Sequence, residues 1–210
     1  MNWASNSLNN TMATNPSTLQ DVFQNNQYDL ASAVKKSRGW FDQQVLLMSK
    51  QQITPPKVLK GDPSALKTSV LPGKLYMFLY DPKLKATLPY YDRFPLVFPF
   101  RKLESGFLGL NMHYLPYQLR IKLLDKLMTF KSNSKLDETT KLKYSWAVID
   151  GVSRYNAAIP CVKHYLADHV RSPFRQIGAE DWATAMMLPV ERFAGATKDQ
   201  VWLDSKRKMG

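Results

Sequence analysis

Cysteine is almost absent. Cys161 is the one thiol in 210 residues, so no disulfide can form within the chain. That usage suits a reducing cytosol, or a particle assembled there. Long apolar runs are missing too: none approaches the ~20 residues that a bilayer-spanning helix needs. The opening MNWASNSLNNTMATN lacks the basic start and apolar middle of a secretory signal. These absences predict a soluble protein made in the cytoplasm, with no membrane partner. Phosphate-cradling loops are missing as well, since Gly106-x-x-Gly109 is too short and has no Lys-Ser/Thr after it. Lys and Arg are absent from residues 1–34, which hold only the acids Asp21 and Asp29.

What the first segment lacks, the rest has in excess. The chain carries 29 Lys+Arg against 17 Asp+Glu, a net charge of +12; with Asp21 and Asp29 set aside, residues 35–210 carry +14. An excess of this size favours a polyanionic partner, either nucleic acid or the acidic face of another protein.

Residues 1–27 are rich in Asn, Ser, Thr and Gln, with Trp3, Met12, Leu19 and Phe23 as scattered apolar anchors. Such a segment buries too little apolar surface to offset chain entropy and is expected to be a flexible or partner-ordered arm. Residues 28–210 are expected to form a single α+β domain. Leu30, Ala33, Val34, Phe41, Val45 and Met48 recur at helical spacing over 28–52, ahead of Pro55-Pro56. An irregular connector follows over 53–72.

The β-module spans 73–113. Leu75–Tyr80 is apolar on both faces and predicts a strand covered on both sides. Phe94–Phe100 contains Pro95 and Pro99 and predicts an edge or bulged strand. Phe107–Asn111 predicts a third, interrupted at Gly109. Together they predict a small antiparallel three-stranded sheet, a meander or SH3-like barrel, packed by several helices. Residues 114–210 read as mostly helical. Pro116 opens a helix to about Phe130, with Leu119, Leu123, Leu124 and Leu127 inward and Arg120, Lys122 and Lys126 outward. A second helix runs from Asp137 to Tyr155, with Leu142, Trp146, Ile149 and Val152 inward. Tyr165–Ile177 is mixed, a helix start and then a strand from Val170 broken at Pro173; short helices are expected over Glu180–Leu188 and Lys198–Lys206.

Catalytic constellations are not assignable. His113, beside Asn111 and Tyr114, is a candidate general base, though a histidine at a strand end is more often a hydrogen-bonded structural residue. Cys161-x-x-His164, with His169 nearby, is half of a zinc site without its second pair. Asp92, Glu104 and Asp125 match no two-metal spacing, and Asp92 is expected to form a turn or to pair with Arg93 or Lys85. No metal and no cofactor are expected, and a nuclease is the least supported of the possible functions.

The stronger constellation is basic and aromatic. Lys83, Lys85, Arg93, Arg101 and Lys102 flank Tyr90, Tyr91 and Phe94, and Arg120, Lys122 and Lys126 follow on a helix. Cations satisfy phosphates, and exposed tyrosines stack on bases, here on a terminal base pair. Phe94, Phe98 and Phe100 are expected to fill core. Lys206-Arg207-Lys208 makes a second cluster.

The runs Tyr80-Asp81-Pro82, Leu88-Pro89-Tyr90-Tyr91-Asp92, Phe94-Pro95-Leu96, Gly106-Phe107, Gly109-Leu110-Asn111, His113-Tyr114, Trp182, Leu188-Pro189 and Val201-Trp202 resemble those of small virion proteins of T4-like contractile-tailed phages. The resemblance covers roughly residues 73–128 and 160–208 and is closest to the DNA end protectors that complete the head and neck. It implies a non-enzymatic virion protein, present in several copies in a symmetric particle, that binds double-stranded DNA ends and other virion proteins of the neck or tail. The alternative is a structural connector of neck, tail or baseplate that touches protein neighbours only.

Overall fold

A computed structural model describes residues 63–131, 133–187 and 191–209. The arm expected over 1–27 and the helix expected over 28–52 lie outside the described residues. Within them the protein is α+β. The helices are α1 (Tyr117–Lys131), α2 (Glu138–Ser153), α3 (Trp182–Met187) and α4 (Lys198–Lys208). The strands are β1 (Leu66–Lys67), β2 (Leu75–Met77), β3 (Tyr91–Asp92), β4 (Leu96–Leu103), β5 (Gly106–Asn111), β6 (Val162–Leu166), β7 (Phe174–Ile177) and β8 (Phe193–Ala194).

The main sheet has six strands in the order β1-β7-β2-β4-β5-β6, not the three expected, and every neighbouring pair is antiparallel. β3 and β8 form a separate two-stranded ribbon. β1 and β6 escaped the sequence reading, and β7, read as a strand from Val170, was not placed in the sheet, for one reason: their partners are far away in the chain. β6 pairs with β5 across a helical insertion, and β7 returns to lie between β1 and β2. Strand propensity expresses fit to a neighbouring strand more than local preference, so distant pairings leave little local signal. Tyr165, expected near a helix start, lies in β6, and the supposedly irregular connector contains β1.

β4 is bulged, as Pro99 requires, but it is not an edge strand. It lies between β2 and β5, and its register shifts between Pro99 and Arg101. Pro99 has no N–H to give the ladder, yet its carbonyl accepts from Gly73 N–H at 3.1 Å. The sheet also curls. Tyr80, just beyond β2, bridges to Val170, and its hydroxyl accepts from Leu166 N–H on β6 at 3.2 Å. Its ring lies 5.0 Å from that of Tyr165. The end of β2 therefore reaches the far strand, and the sheet becomes a partly closed barrel.

Alternation along the strands fills two cores, one on each face. Inside the curl are Tyr76, Phe78, Tyr80, Val97, Phe107 and Tyr165. Phe78 stands edge-on to Tyr165 at 5.2 Å and to Phe174 at 5.0 Å, the arrangement that ring quadrupoles favour. The opposite face sends Leu75, Met77, Leu96, Phe98, Leu110 and Met112 into a cluster with Leu123 and Leu127 of α1, Ile149 and Val152 of α2, Trp182 of α3 and Val201 of α4. The two-sided burial expected of Leu75–Tyr80 therefore follows from a barrel interior on one side and helices on the other.

The helices begin where capping chemistry allows. Asp137 Oδ1 accepts from Thr140 N–H at 2.9 Å to start α2, and Thr197 and Gln200 form a reciprocal capping box at α4. Trp146, expected on the inner face of α2, is instead at the surface with 41% of its area exposed; its indole N–H donates to the Phe100 carbonyl at 2.8 Å, while Ser145 takes the buried position.

Gly109 sits where β4 and β5 cross the barrel interior. A Cβ there would lie 2.2 Å from Val97 Cγ1, a buried atom. Gly109→Ala is therefore expected to destabilise the fold by about 1–3 kcal/mol, the usual range for overpacking. Combining it with Val97→Ala should recover part of that loss. Chemical denaturation of the two variants checks this, and an unchanged midpoint for Gly109→Ala alone would refute the packing.

Candidate nucleic-acid interface

The loop from Asp81 to Arg93 is clamped at both ends. Tyr80 N–H donates to Arg93 O at 3.0 Å, and Arg93 N–H donates to Arg192 O at 2.9 Å. Asp81 N–H donates to His169 O at 3.1 Å, and the His169 ring returns a bond from Nδ1 to Asp81 O at 2.8 Å. The β3-β8 ribbon fixes the loop's return. Gly195, at φ +89, lets the chain pass so close to the loop that a Cβ there would meet Pro89 O at 2.6 Å. The loop thus has little freedom despite its length.

Beneath it runs a chain of buried polar groups. Asp92 Oδ1 accepts from Phe94 N–H at 3.0 Å, while Oδ2 accepts from Asn111 Nδ2 at 3.1 Å and from His113 Nδ1 at 2.7 Å. Asn111 also donates to the Tyr165 hydroxyl at 2.9 Å, and its Oδ1 accepts from His113 N–H at 3.0 Å. Burial alone would raise the Asp92 carboxyl. The adjacent His113 and three hydrogen bonds outweigh it and hold the group below its ordinary 3.8.

The His113 carbonyl then accepts from Arg120 at 3.1 Å and from the Trp202 indole at 2.8 Å. Arg120 also donates to Leu115 O at 2.8 Å and to Met186 O at 3.0 Å, and it pairs with Glu191 at 2.7 Å. Its guanidinium lies over the Tyr117 ring at 4.6 Å. The Glu191 carboxyl is likewise held low: burial opposes its ionisation, and Arg120 overrides that.

These contacts correct several sequence expectations. Arg120, expected as an exposed phosphate contact, is fully buried and spends its guanidinium on structure. Asp92 pairs with His113, not with Arg93 or Lys85; Lys85 pairs with Asp81 at 3.0 Å. His113, considered as a general base, is wholly enclosed, with no face open to a substrate. The half zinc site separates: Cys161 is buried and its thiol pushed up to about 12 by that burial, His164 lies near Ser105, and His169 closes the loop. Among the described residues no group of three His, Cys, Asp or Glu is placed to hold a metal ion.

The other candidates remain at or near the surface, but not all together. Lys83, Lys85 and Arg93 are exposed on the loop. Tyr91 is half-buried in β3. Tyr90 is half-buried too, its ring 6.0 Å from Tyr114 and edge-on to Phe193, so it is a packed residue with only its rim outward. Arg101 and Lys102 are exposed beyond the bulge, where Arg101 lies 3.8 Å from Asp150 of α2. Leu96 to Arg101 alone spans roughly 16 Å of strand, so that pair is remote from the loop. Lys122 and Lys126 are half-buried on α1.

The structure adds residues that the sequence order hid. The Tyr90 hydroxyl donates to Asp204 of α4, whose Oδ2 also accepts from Lys208 at 2.7 Å. This junction brings the exposed last turn of α4, with Lys206, Arg207 and Lys208, beside the loop. Lys163 of β6 completes the group, with its Nζ 3.9 Å from the centre of the Tyr114 ring. Lys163 carried no local signal, because only the pairing of β6 with β5 brings it there.

Buried polar groups locked into structure, with cations and a tyrosine rim gathered at the surface, define a basic α+β protein. The family of the phage T4 terminal DNA protecting protein matches residues 14–205, and the chain belongs to that family. The match starts well before residue 73, so the family pattern includes much of the Asn-rich segment that the resemblance in sequence left out. No curated protein and no solved structure matches the chain.

Two predictions follow from the buried network. Arg120→Met leaves Glu191 buried without its partner and is expected to cost about 3–5 kcal/mol. The double variant Arg120→Met/Glu191→Leu should cost less than the single one, as read by urea unfolding; an equal or larger loss would show that the pair is not the issue.

Asp92 and Glu191 are held below their ordinary 3.8 and 4.5, so their contribution is present above those values and is lost as pH falls through the lowered ones. Stability should therefore drop below about pH 4. Asp92→Asn, already less stable at neutral pH, should show a shallower acid limb. An unchanged limb would remove Asp92 from the account.

Proposed function

We propose that this protein is a non-enzymatic virion component of the head-neck region that binds the ends of packaged double-stranded DNA and protects them. Membership of a DNA-end-protecting family makes DNA the partner to consider. The observation that carries the reading is the Tyr90–Asp204–Lys208 junction, which gathers two stretches of cations, far apart in the chain, onto one face.

The contacting residues we assign are Lys83, Lys85, Arg93, Arg207 and Lys208 to phosphates and Tyr91 to a terminal base. Lys122 and Lys126 lie further along the surface. Arg101 and Lys102 form a separate patch, suited to a second DNA segment or a virion neighbour. Several copies in a symmetric particle would surround one end. Synthesis in the host cytoplasm suits the buried lone thiol, and no helix among the described residues is long and apolar enough to cross a membrane.

A filter-binding titration with salt tests this. Each phosphate contact removed from the loop or from α4 should lower the salt slope by nearly one unit. Tyr91→Ala should weaken binding by about 1–3 kcal/mol with the slope kept. Linear duplex should be preferred to a closed circle and should resist exonuclease once bound. Equal affinity for circle and linear duplex would remove end recognition. No binding at low salt would leave a connector that contacts only protein.

A further inference from the structure

The cluster behind Tyr90 has an arrangement that general DNA binding does not require. Five separate segments converge on it: Tyr90 from the loop, Tyr114 from the 3-10 turn Met112–Tyr114, Lys163 from β6, Phe193 from β8, and Asp204 with Arg207 and Lys208 from α4. Tyr90, Tyr114 and Phe193 form its wall, with Phe193 edge-on to both tyrosines at 6.3 and 5.1 Å.

The cations gather around a single carboxylate. Asp204 accepts from Lys208 and from the Tyr90 hydroxyl and feels the charge of Arg207. Lys163 stands close enough to feel both Asp204 and Lys208. Asp204 is therefore where an anion belongs, and it is the protein's own.

We propose that this cluster is a seat for the terminal phosphomonoester of a DNA strand, which Asp204 occupies in the free protein and yields when the DNA end arrives. The proposal rests on the DNA-end reading above and gives that site its ligand chemistry. Three arguments carry it. Lys208 and the Tyr90 hydroxyl meet on the one Asp204 carboxylate, with Arg207 and Lys163 near enough to feel its charge, whereas a groove that tracks a backbone spreads its cations along a line. A monoester carries about −1.5 to −2 charges near neutral pH, so it competes with a carboxylate where a singly charged diester would not. The half-buried rim of Tyr90, backed by the buried Tyr114 ring, offers an apolar face beside the seat to the base that carries the phosphate. Burial also pushes the Lys163 amine down, and an arriving anion acts in the opposite direction by favouring its charged form.

The test uses the full chain and matched short duplexes with a 5′-phosphate, a 3′-phosphate or hydroxyls at both termini. A phosphorylated terminus of one kind should raise affinity about tenfold, the scale of one charge-assisted contact. Whichever terminus gains identifies the source. Lys208→Gln, at an exposed position, and Lys163→Met, which keeps the aliphatic stem, should erase the difference. Asp204→Asn should raise affinity for the phosphorylated duplex more than for the hydroxyl one.

If all three duplexes bind equally, the seat is refuted while DNA binding stands. If none binds, the DNA-end reading itself fails. The seat is then judged by the dinucleotides pTpT and TpT, with the Lys163 and Lys208 side-chain NMR signals as readout. Saturable shifts with pTpT alone support it. Equal shifts with both, or none, overturn it.

Discussion

The guanidinium of Arg120 is the point from which the arrangement of this protein follows. A fully buried Arg must satisfy its donors and its charge inside the fold. It does so on Leu115 O, Met186 O, His113 O and the Glu191 carboxylate, between the Tyr117 and Trp202 rings. Those partners belong to the 3-10 turn after β5, the start of α1, the end of α3, the segment before β8, and α4. One side chain thus sets the relative positions of the elements that cover the sheet. The buried pair is weak evidence for net stability, since apolar residues of similar volume often do as well. What it does is tie together four separate parts of the chain through one set of donors.

The network continues through His113 to Asp92, and so from the helical layer to the ribbon that carries the basic loop. The surface site inherits its geometry from this interior. The loop's return strand β3 is tied to the His113 side chain, while α4, which brings Asp204, Arg207 and Lys208, is tied to the His113 carbonyl through Trp202. Loop and helix meet at Tyr90 and Asp204 because both are anchored on one residue. The surface proposed to bind DNA is thus held in shape by the interior, and a preformed surface of this kind avoids an ordering cost on binding.

The curled sheet explains the apolar density of the chain between Leu75 and Leu110. A sheet packed on one face needs alternation. One that closes on itself and is also covered by helices needs apolar residues on both faces. Bulky aromatics fill the barrel interior, and Gly109 opposite Val97 is the space that lets two strands pass. The bulge at Pro99 supplies the bend that a curling central strand requires.

The sequence by itself determined the α+β class, the two-sided burial of Leu75–Tyr80, the bulge at Pro99, the capped helix after Asp137, the short helices near the end, and the unequal placement of charge. Each follows from near-neighbour chemistry: side-chain period, the missing N–H of proline, a carboxylate at a helix start. Tertiary structure alone decided the rest. Local pattern cannot count strands that pair across a helical insertion, so three strands became six. It marked Arg120 as outward because a lone cation on an amphipathic helix normally faces water, and only the distant carbonyls and Glu191 could reverse that. Asp92 carries no mark of His113, twenty-one residues away. The candidate site was half legible, as a basic aromatic loop. Its other half, Lys163 and the last turn of α4, came into place only through strand pairing and a buried hydrogen-bond chain, which join residues that the sequence keeps far apart.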